Sequence, residues 1–258
     1  MDLGLSNKTA LVTGSTGGIG LAIARTLAEE GAAVIVTGRS AETVEKTVQE
    51  IGAARGIVAD VATAEGAAAL TSAVPSVDIL VNNLGIYEVK PFAEITDADW
   101  LHFFDVNVVS GIRLARHYFP AMLERNWGRI IFVSSESALQ IPSDMIHYGM
   151  TKTAQLSVAR GLAELTKGTA VTVNSVLPGP TRSAGIGDFL RSVFPGNPGS
   201  EADLEKEFFR LYRSSSLLQR MIDPKEIAAL VAYVASPLGA ATNGAALRVE
   251  GGLLMSAT

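Results

Sequence analysis

Thr9-Ala10-Leu11-Val12-Thr13-Gly14-Ser15-Thr16-Gly17-Gly18-Ile19-Gly20 decides the fold. Thr9–Thr13 is a short β-run. It feeds directly into a glycine-rich turn, and the turn opens a helix. Over Gly18–Glu30, Ile19, Ala22, Ile23 and Leu27 fall on one helical face, and Gly31 is a stop signal. A strand that turns through glycine into a helix aims backbone N–H groups and the positive helix end at one point, where a pyrophosphate can sit. A side chain in the turn would hold the phosphates away, and Gly20 lets the helix pack closely on the strand. A glycine cluster alone is weak evidence, but its place after the first strand makes it a dinucleotide signal.

Outward from that stretch the chain alternates. Apolar strand runs are predicted at Ala33–Thr37, Gly56–Ala59, Asp78–Val81, Arg129–Val133, Ala170–Leu177 and Ala245–Val249. Between them fall predicted helices at Glu42–Ile51, Thr63–Ala73, Asp97–Arg125, Ile146–Thr166 and Pro224–Ser236. Alternation of this kind predicts an α/β fold: a Rossmann-type, doubly wound parallel sheet with helices on both faces. No repeat or linker divides residues 1–258, so a single domain is expected. Residues 182–220 break the rhythm with Gly185, Gly187, Pro195, Gly196, Pro198 and Gly199, and read as an insertion near the ligand site.

Composition narrows the function. The 258 residues are 48% hydrophobic and 18% charged, with a net charge of −5. No Lys/Arg cluster exceeds two residues, so nucleic acid is not an expected partner. No apolar run approaches the roughly 18–20 residues of a membrane span. The start of the chain lacks the features of a signal peptide, so a soluble, cytoplasmic protein is expected. The absence of cysteine excludes disulfides and thiolate chemistry. The three histidines show no metal-ligand spacing, and no metal site is expected.

The second strand ends Thr37-Gly38-Arg39-Ser40, without the acidic residue that usually holds a ribose 2′-hydroxyl. Arg39 is suited instead to a 2′-phosphate. That favours NADP(H), with NAD(H) as the other option. Asp60 stands where a carboxylate can accept a hydrogen bond from adenine. Tyr148 and Lys152 have i,i+4 spacing on a predicted helix, which puts them on one face. A nearby ammonium stabilises phenolate and lowers a tyrosine pKa. Ser135 follows the fifth strand, at the edge where open sheets bind ligands. Together they bring a hydroxyl, a phenol and a cation beside the cofactor.

On these residues the chain resembles the short-chain dehydrogenase/reductase superfamily along nearly its whole length. Thr13 through Gly20 resembles the family's TGxxxGIG turn, and Asp60-Val61 its adenine contact. Asn82-Asn83-Leu84-Gly85 resembles NNAG, with Leu84 in place of Ala. Asn107, Ser135, Tyr148-Gly149-Met150-Thr151-Lys152 and Pro178-Gly179-Pro180-Thr181 match its remaining motifs. The resemblance implies hydride transfer between nicotinamide and a carbonyl or secondary alcohol, with a 3-oxoacyl-thioester reductase as one form. Tyr148 is then the proton donor or acceptor, and Lys152 holds the nicotinamide ribose and depresses the Tyr148 pKa. Ser135 orients the substrate oxygen, and Asn107 positions a water linking Lys152 to solvent. Cofactor contacts are implied at Gly14, Ser15, Thr16, Gly18, Ile19, Gly20, Arg39, Asp60, Val61, Asn83, Gly85, Tyr148, Lys152, Pro178, Gly179 and Thr181. A homotetramer is implied, with a homodimer as the other option.

Glu136 and His147 flank two of these residues; either can line the pocket, but an outward-pointing neighbour is the favoured expectation. The apolar side chains of Ser183–Tyr212, Phe189, Phe194, Phe208 and Phe209 among them, either line the pocket of a substrate lid, or form helical core or an oligomer contact. If they line it, the substrate has an apolar portion. Two other functions fit the sequence less well: an NAD(H)-linked sugar or alcohol dehydrogenase, and a non-catalytic NADP(H)-binding redox sensor. The retained Asn107, Ser135, Tyr148 and Lys152 argue against the sensor.

Overall fold

The computed structural model describes residues 2–52, 54–182 and 185–257. Seven strands form one sheet: β1 (Thr9–Val12), β2 (Ala33–Gly38), β3 (Ala54–Val58), β4 (Ile79–Asn82), β5 (Gly128–Val133), β6 (Val171–Pro178) and β7 (Ala246–Val249). Their order is β3-β2-β1-β4-β5-β6-β7, and every neighbouring pair is parallel. This is the predicted Rossmann-type sheet in a single domain. The chain winds one way from β1 to β3, then crosses back to β4 beside β1. That reversal opens a crevice at the carboxyl ends of β1 and β4.

Strand side chains alternate between two cores, as the two-residue period requires. Ala10, Val12, Ile131 and Val133 face one layer, where α1 (Gly18–Glu29), α2 (Ala41–Ile51) and α9 (Pro224–Ala235) supply Ile23, Leu27, Val44, Ile227 and Val231. Leu11, Ile130 and Phe132 face the other, against Leu70 of α3 (Ala64–Ala73) and Ala159 of α6 (Ile146–Glu164). Burying each such Leu, Ile or Phe contributes about 1.5–3 kcal/mol.

Two predicted features differ. The single helix expected over Asp97–Arg125 is three pieces: α4 (Asp97–Phe104), a π turn (Asp105–Val109) and α5 (Ser110–Glu124). Residues 182–220, expected to be irregular, contain α7 (Ile186–Val193) and α8 (Glu201–Tyr212); residues 183 and 184 lie outside the described residues. Leu190, Leu204, Phe208, Phe209 and Met221 make a small core of their own there, with Phe189, Val193 and Phe194 packed on it. These aromatics therefore serve as helical core, which removes the main support for an apolar substrate. Leu211 and Tyr212, at the end of α8, are exposed.

Candidate active site

The glycine turn is tied to its neighbours by three side chains. Ser15 Oγ donates to Val12 O at 2.7 Å and accepts from Thr37 N–H at 2.9 Å. Its own N–H donates to Thr37 O. Ser15 thus turns its polar groups inward toward β2, away from any ligand, and acts on the turn's shape. Asn83 Nδ2 donates to the carbonyls of Thr13 and Gly14 at 2.9 and 3.2 Å. Thr13 Oγ1 accepts from the N–H groups of Asn83 and Leu84. A hydroxyl at a strand end carries no sequence signal for this bracing role of Thr13. The expected close approach at Gly20 is real: a Cβ there would lie 2.4 Å from Gly14 O.

Around this turn, Thr16 leans on Gly38, and Gly18 and Ile19 open α1. Arg39 is exposed beyond β2. The Asp60 carboxylate accepts from Ala62 N–H at 3.2 Å, ahead of the buried Val61. Pro178 ends β6. Gly179 packs on the backbone of Glu250, and Thr181 Oγ1 donates back to Gly179 O at 2.8 Å.

Deeper in, the π turn presents Asn107. Its Oδ1 accepts from Ile86 N–H at 2.8 Å, and its Nδ2 donates to Ile86 O and Thr151 Oγ1, each at 3.0 Å. Its carbonyl accepts from Gln155 Nε2 at 2.6 Å, and Gln155 Oε1 accepts from Lys152 Nζ at 3.4 Å. The Gln155 side-chain amide thus joins Lys152 to the Asn107 backbone. Gln155 was missed, although its place three residues after Lys152 puts it on the same helix face. Lys152 Nζ also donates to Val133 O at 3.1 Å. Gly85 completes this corner: a Cβ there would lie 3.3 Å from Lys152 Nζ and 3.5 Å from Asn107 Oδ1. The cradle is one that a side chain would fill, and it lies beside a cation and below the glycine turn. The residues fit a nicotinamide dinucleotide.

Charge in the site is set by burial. Lys152 is 4% exposed. Burial pulls its pKa down to about 8, opposed by the Glu136 charge. Tyr148 is held above its ordinary value by burial; Glu136 and Tyr87 add to the rise and Ser135 opposes it. The expected depression by Lys152 is not what dominates: the ammonium lies 5.6 Å from the Tyr148 ring centroid, and desolvation of the phenolate prevails. Tyr87 meets Tyr148 edge-on with ring centroids 6.4 Å apart.

The two flanking residues also differ from expectation. Glu136 is buried and accepts from Ser135 Oγ at 2.5 Å. It sits in a 3-10 turn (Glu136–Ala138) whose N-terminal cap is Ser135, so it turns back under the strand end. His147 is fully buried, 4.1 Å from Phe103 between ring centroids. Burial lowers its pKa.

Residues 8–190 match the short chain dehydrogenase family. The chain belongs to that family. The dehydrogenase is 49% identical to the uncharacterized oxidoreductase YvaG of Bacillus subtilis, over 99% of each chain. It is 32% identical to the 3-oxoacyl-[acyl-carrier-protein] reductase FabG of Vibrio cholerae, over 98% of this chain and 100% of that one. Its fold is similar to that of L-sorbose reductase from Gluconobacter frateurii, solved with NADPH and L-sorbose. The TM-score is 0.93, at 29% identity, over 99% and 100% of the two chains. The dehydrogenase is thus an NAD(P)-dependent oxidoreductase acting between CH–OH and C=O groups. No helix among its described residues is long and apolar enough to cross a membrane.

Proposed function

We propose that this dehydrogenase is an NADP(H)-dependent carbonyl reductase with Tyr148 as general acid, Lys152 as its cationic support and Ser135 as the substrate-oxygen ligand. The convergence of Ser135, Tyr148 and Lys152 at the carboxyl edge of the sheet, beside the Gly85 cradle, carries the assignment. A bound nicotinamide cofactor supplies or accepts the hydride. The protein's own residues orient the substrate and manage its proton. Tyr148, with its pKa raised, keeps its proton across the neutral range, which suits it to donate to a developing alkoxide in reduction. Lys152, linked through Gln155 to Asn107, holds positive charge below the phenol. Gly14, Thr16, Gly18, Ile19 and Gly20 shape the pyrophosphate site, where Gly18 heads α1. Asp60, Val61, Asn83, Pro178, Gly179 and Thr181 border the rest.

Arg39 supports the NADP(H) preference, being an exposed guanidinium where a carboxylate would select a free 2′-hydroxyl. The structural similarity to an L-sorbose reductase solved with NADPH is in keeping with it. For substrate there are two readings: a 3-oxoacyl thioester, as the FabG relative's name suggests, and a keto sugar, as the sorbose reductase suggests. The polar pair Ser135 and Glu136 after β5 favours the second. We assign α7 and α8 to a substrate lid, and a homotetramer to the assembly. Leu101 and Phe104, exposed on α4, support a protein contact on that face. Titration of NADPH against NADH, followed by nicotinamide absorbance decay across ketones, keto sugars and β-keto thioesters, tests the proposal. Tighter NADPH binding with turnover of one class supports it. Equal binding of both cofactors removes the NADP(H) assignment.

A further inference from the structure

Ser135 and Glu136 are joined in a way the roles above do not use. Ser135 Oγ donates its proton to Glu136 Oε2 at 2.5 Å. A serine hydroxyl has one proton, so a proton given to Glu136 is withheld from a substrate oxygen. Glu136 is 7% exposed. Its other oxygen accepts from Ser137 Oγ at 3.3 Å. The charged groups that face it are Lys152 and the phenol of Tyr148 on α6, and Arg213 immediately after α8. An ionised Glu136 is an acceptor only and holds the Ser135 proton. A protonated Glu136 can reverse the bond, donating to Ser135 Oγ and leaving the serine proton to point into the site.

We propose, resting on the assignment of Ser135 to the substrate oxygen, that Glu136 is a positioning residue that works as a carboxylic acid, donating to Ser135 Oγ and turning the Ser135 hydroxyl toward substrate. Burial is the main influence on the Glu136 carboxyl and pushes it above its ordinary range. The bonds from Ser135 and Ser137 and the charge of Arg213 oppose that rise without cancelling it. The proton comes from solvent and stays on Glu136 through turnover; no bond beyond hydrogen bonds is made or broken. As pH rises through the elevated pKa, Glu136 ionises, recaptures the Ser135 proton, and carbonyl reduction slows. Tyr148, with its pKa raised, keeps its proton throughout. Lys152, near 8, contributes an alkaline limb of its own.

The test compares wild type with Glu136→Ala and Glu136→Gln in carbonyl reduction at saturating cofactor, and follows the glutamate carboxyl carbons by NMR in the free protein. Glu136→Ala is expected to lower kcat by about tenfold or more, as loss of an aligned donor does, with a smaller effect on KM. Glu136→Gln keeps a permanent N–H donor. It is expected to recover most of kcat and to lose the Glu136 limb while keeping the Lys152 limb. By NMR, the resonance missing from Glu136→Gln titrates above the ordinary value of about 4.3. It moves higher still in Ser135→Ala, which lacks the bond that favours the ionised form. Three results overturn the proposal: Glu136→Gln as impaired as Glu136→Ala, an alkaline profile unchanged in Glu136→Gln, or a Glu136 resonance with an ordinary midpoint. A wild-type protein that binds cofactor but reduces no carbonyl compound contradicts the proposed function instead, and the NMR titration still decides the protonation of Glu136.

Discussion

Lys152 is a buried cation without a carboxylate bonded to it, and its lowered pKa makes it a cost to the fold. The folded chain releases this proton at about 8, well below the ordinary lysine value of 10.5. The cost is full below the folded value and vanishes above the unfolded one. Stability of the wild type relative to Lys152→Met is therefore expected to rise between those limits. The gain is about 3 kcal/mol at most, from roughly 1.4 kcal/mol per pH unit. Urea denaturation of both proteins at neutral pH and near pH 10 checks this; a difference independent of pH would refute it. Ser15 offers a second test. Ser15→Ala leaves the buried Thr37 N–H without its hydroxyl partner, for an expected loss of about 1–3 kcal/mol in chemical denaturation. At this scale the sequence showed Ser135, Tyr148 and Lys152 as chemistry, because a phenol and an amine at i,i+4 have few other reasons to follow a strand-end serine. It did not show Glu136 turning inward. A carboxylate after a strand end usually reaches water, and only the 3-10 turn capped by Ser135 folds it back.

The strands were legible because each is a short apolar run closed by turn residues, and a buried parallel sheet needs such runs. The break at Asp105–Val109 was not. A π turn inserts one residue without a Pro or Gly to mark it, and the apolar pattern of α4 continues into α5. Helices α7 and α8 hid behind Gly and Pro. A signal for α8 was nevertheless present: Ser200 and Asp203 form a capping box ahead of Leu204 and Phe208. Because α7 and α8 close over a core separate from the two beside the sheet, they are expected to fail separately. Phe209, 1% exposed, anchors that core. Phe209→Ala is expected to cost about 3–5 kcal/mol locally. Hydrogen exchange is then faster over residues 186–212 while amides of β1, β4 and β5 stay protected. Uniform acceleration across the sheet would show that α7, α8 and the sheet unfold as one.

For the whole molecule, the winding of the sheet brings together residues that are distant in the chain. The reversal between β1 and β4 sets the glycine turn beside Gly85, and β5 delivers Ser135 to the helix that carries Tyr148 and Lys152. The proposed NADP(H) preference rests on Arg39, exposed beyond β2. Arg39→Ala is expected to weaken NADPH binding by about tenfold or more, as loss of a charge-assisted contact worth roughly 1.5–3 kcal/mol does, and to leave NADH nearly unchanged. Equal losses would place the guanidinium outside the phosphate site. The central claim is that the phenol of Tyr148 delivers the proton in an NADPH-linked carbonyl reduction. Nicotinamide absorbance decay measured for wild type and Tyr148→Phe, against the same panel of ketones, keto sugars and β-keto thioesters, tests it most directly. The wild type is expected to turn over at least one class, and Tyr148→Phe none, despite unchanged NADPH affinity. Substantial turnover by Tyr148→Phe would contradict it.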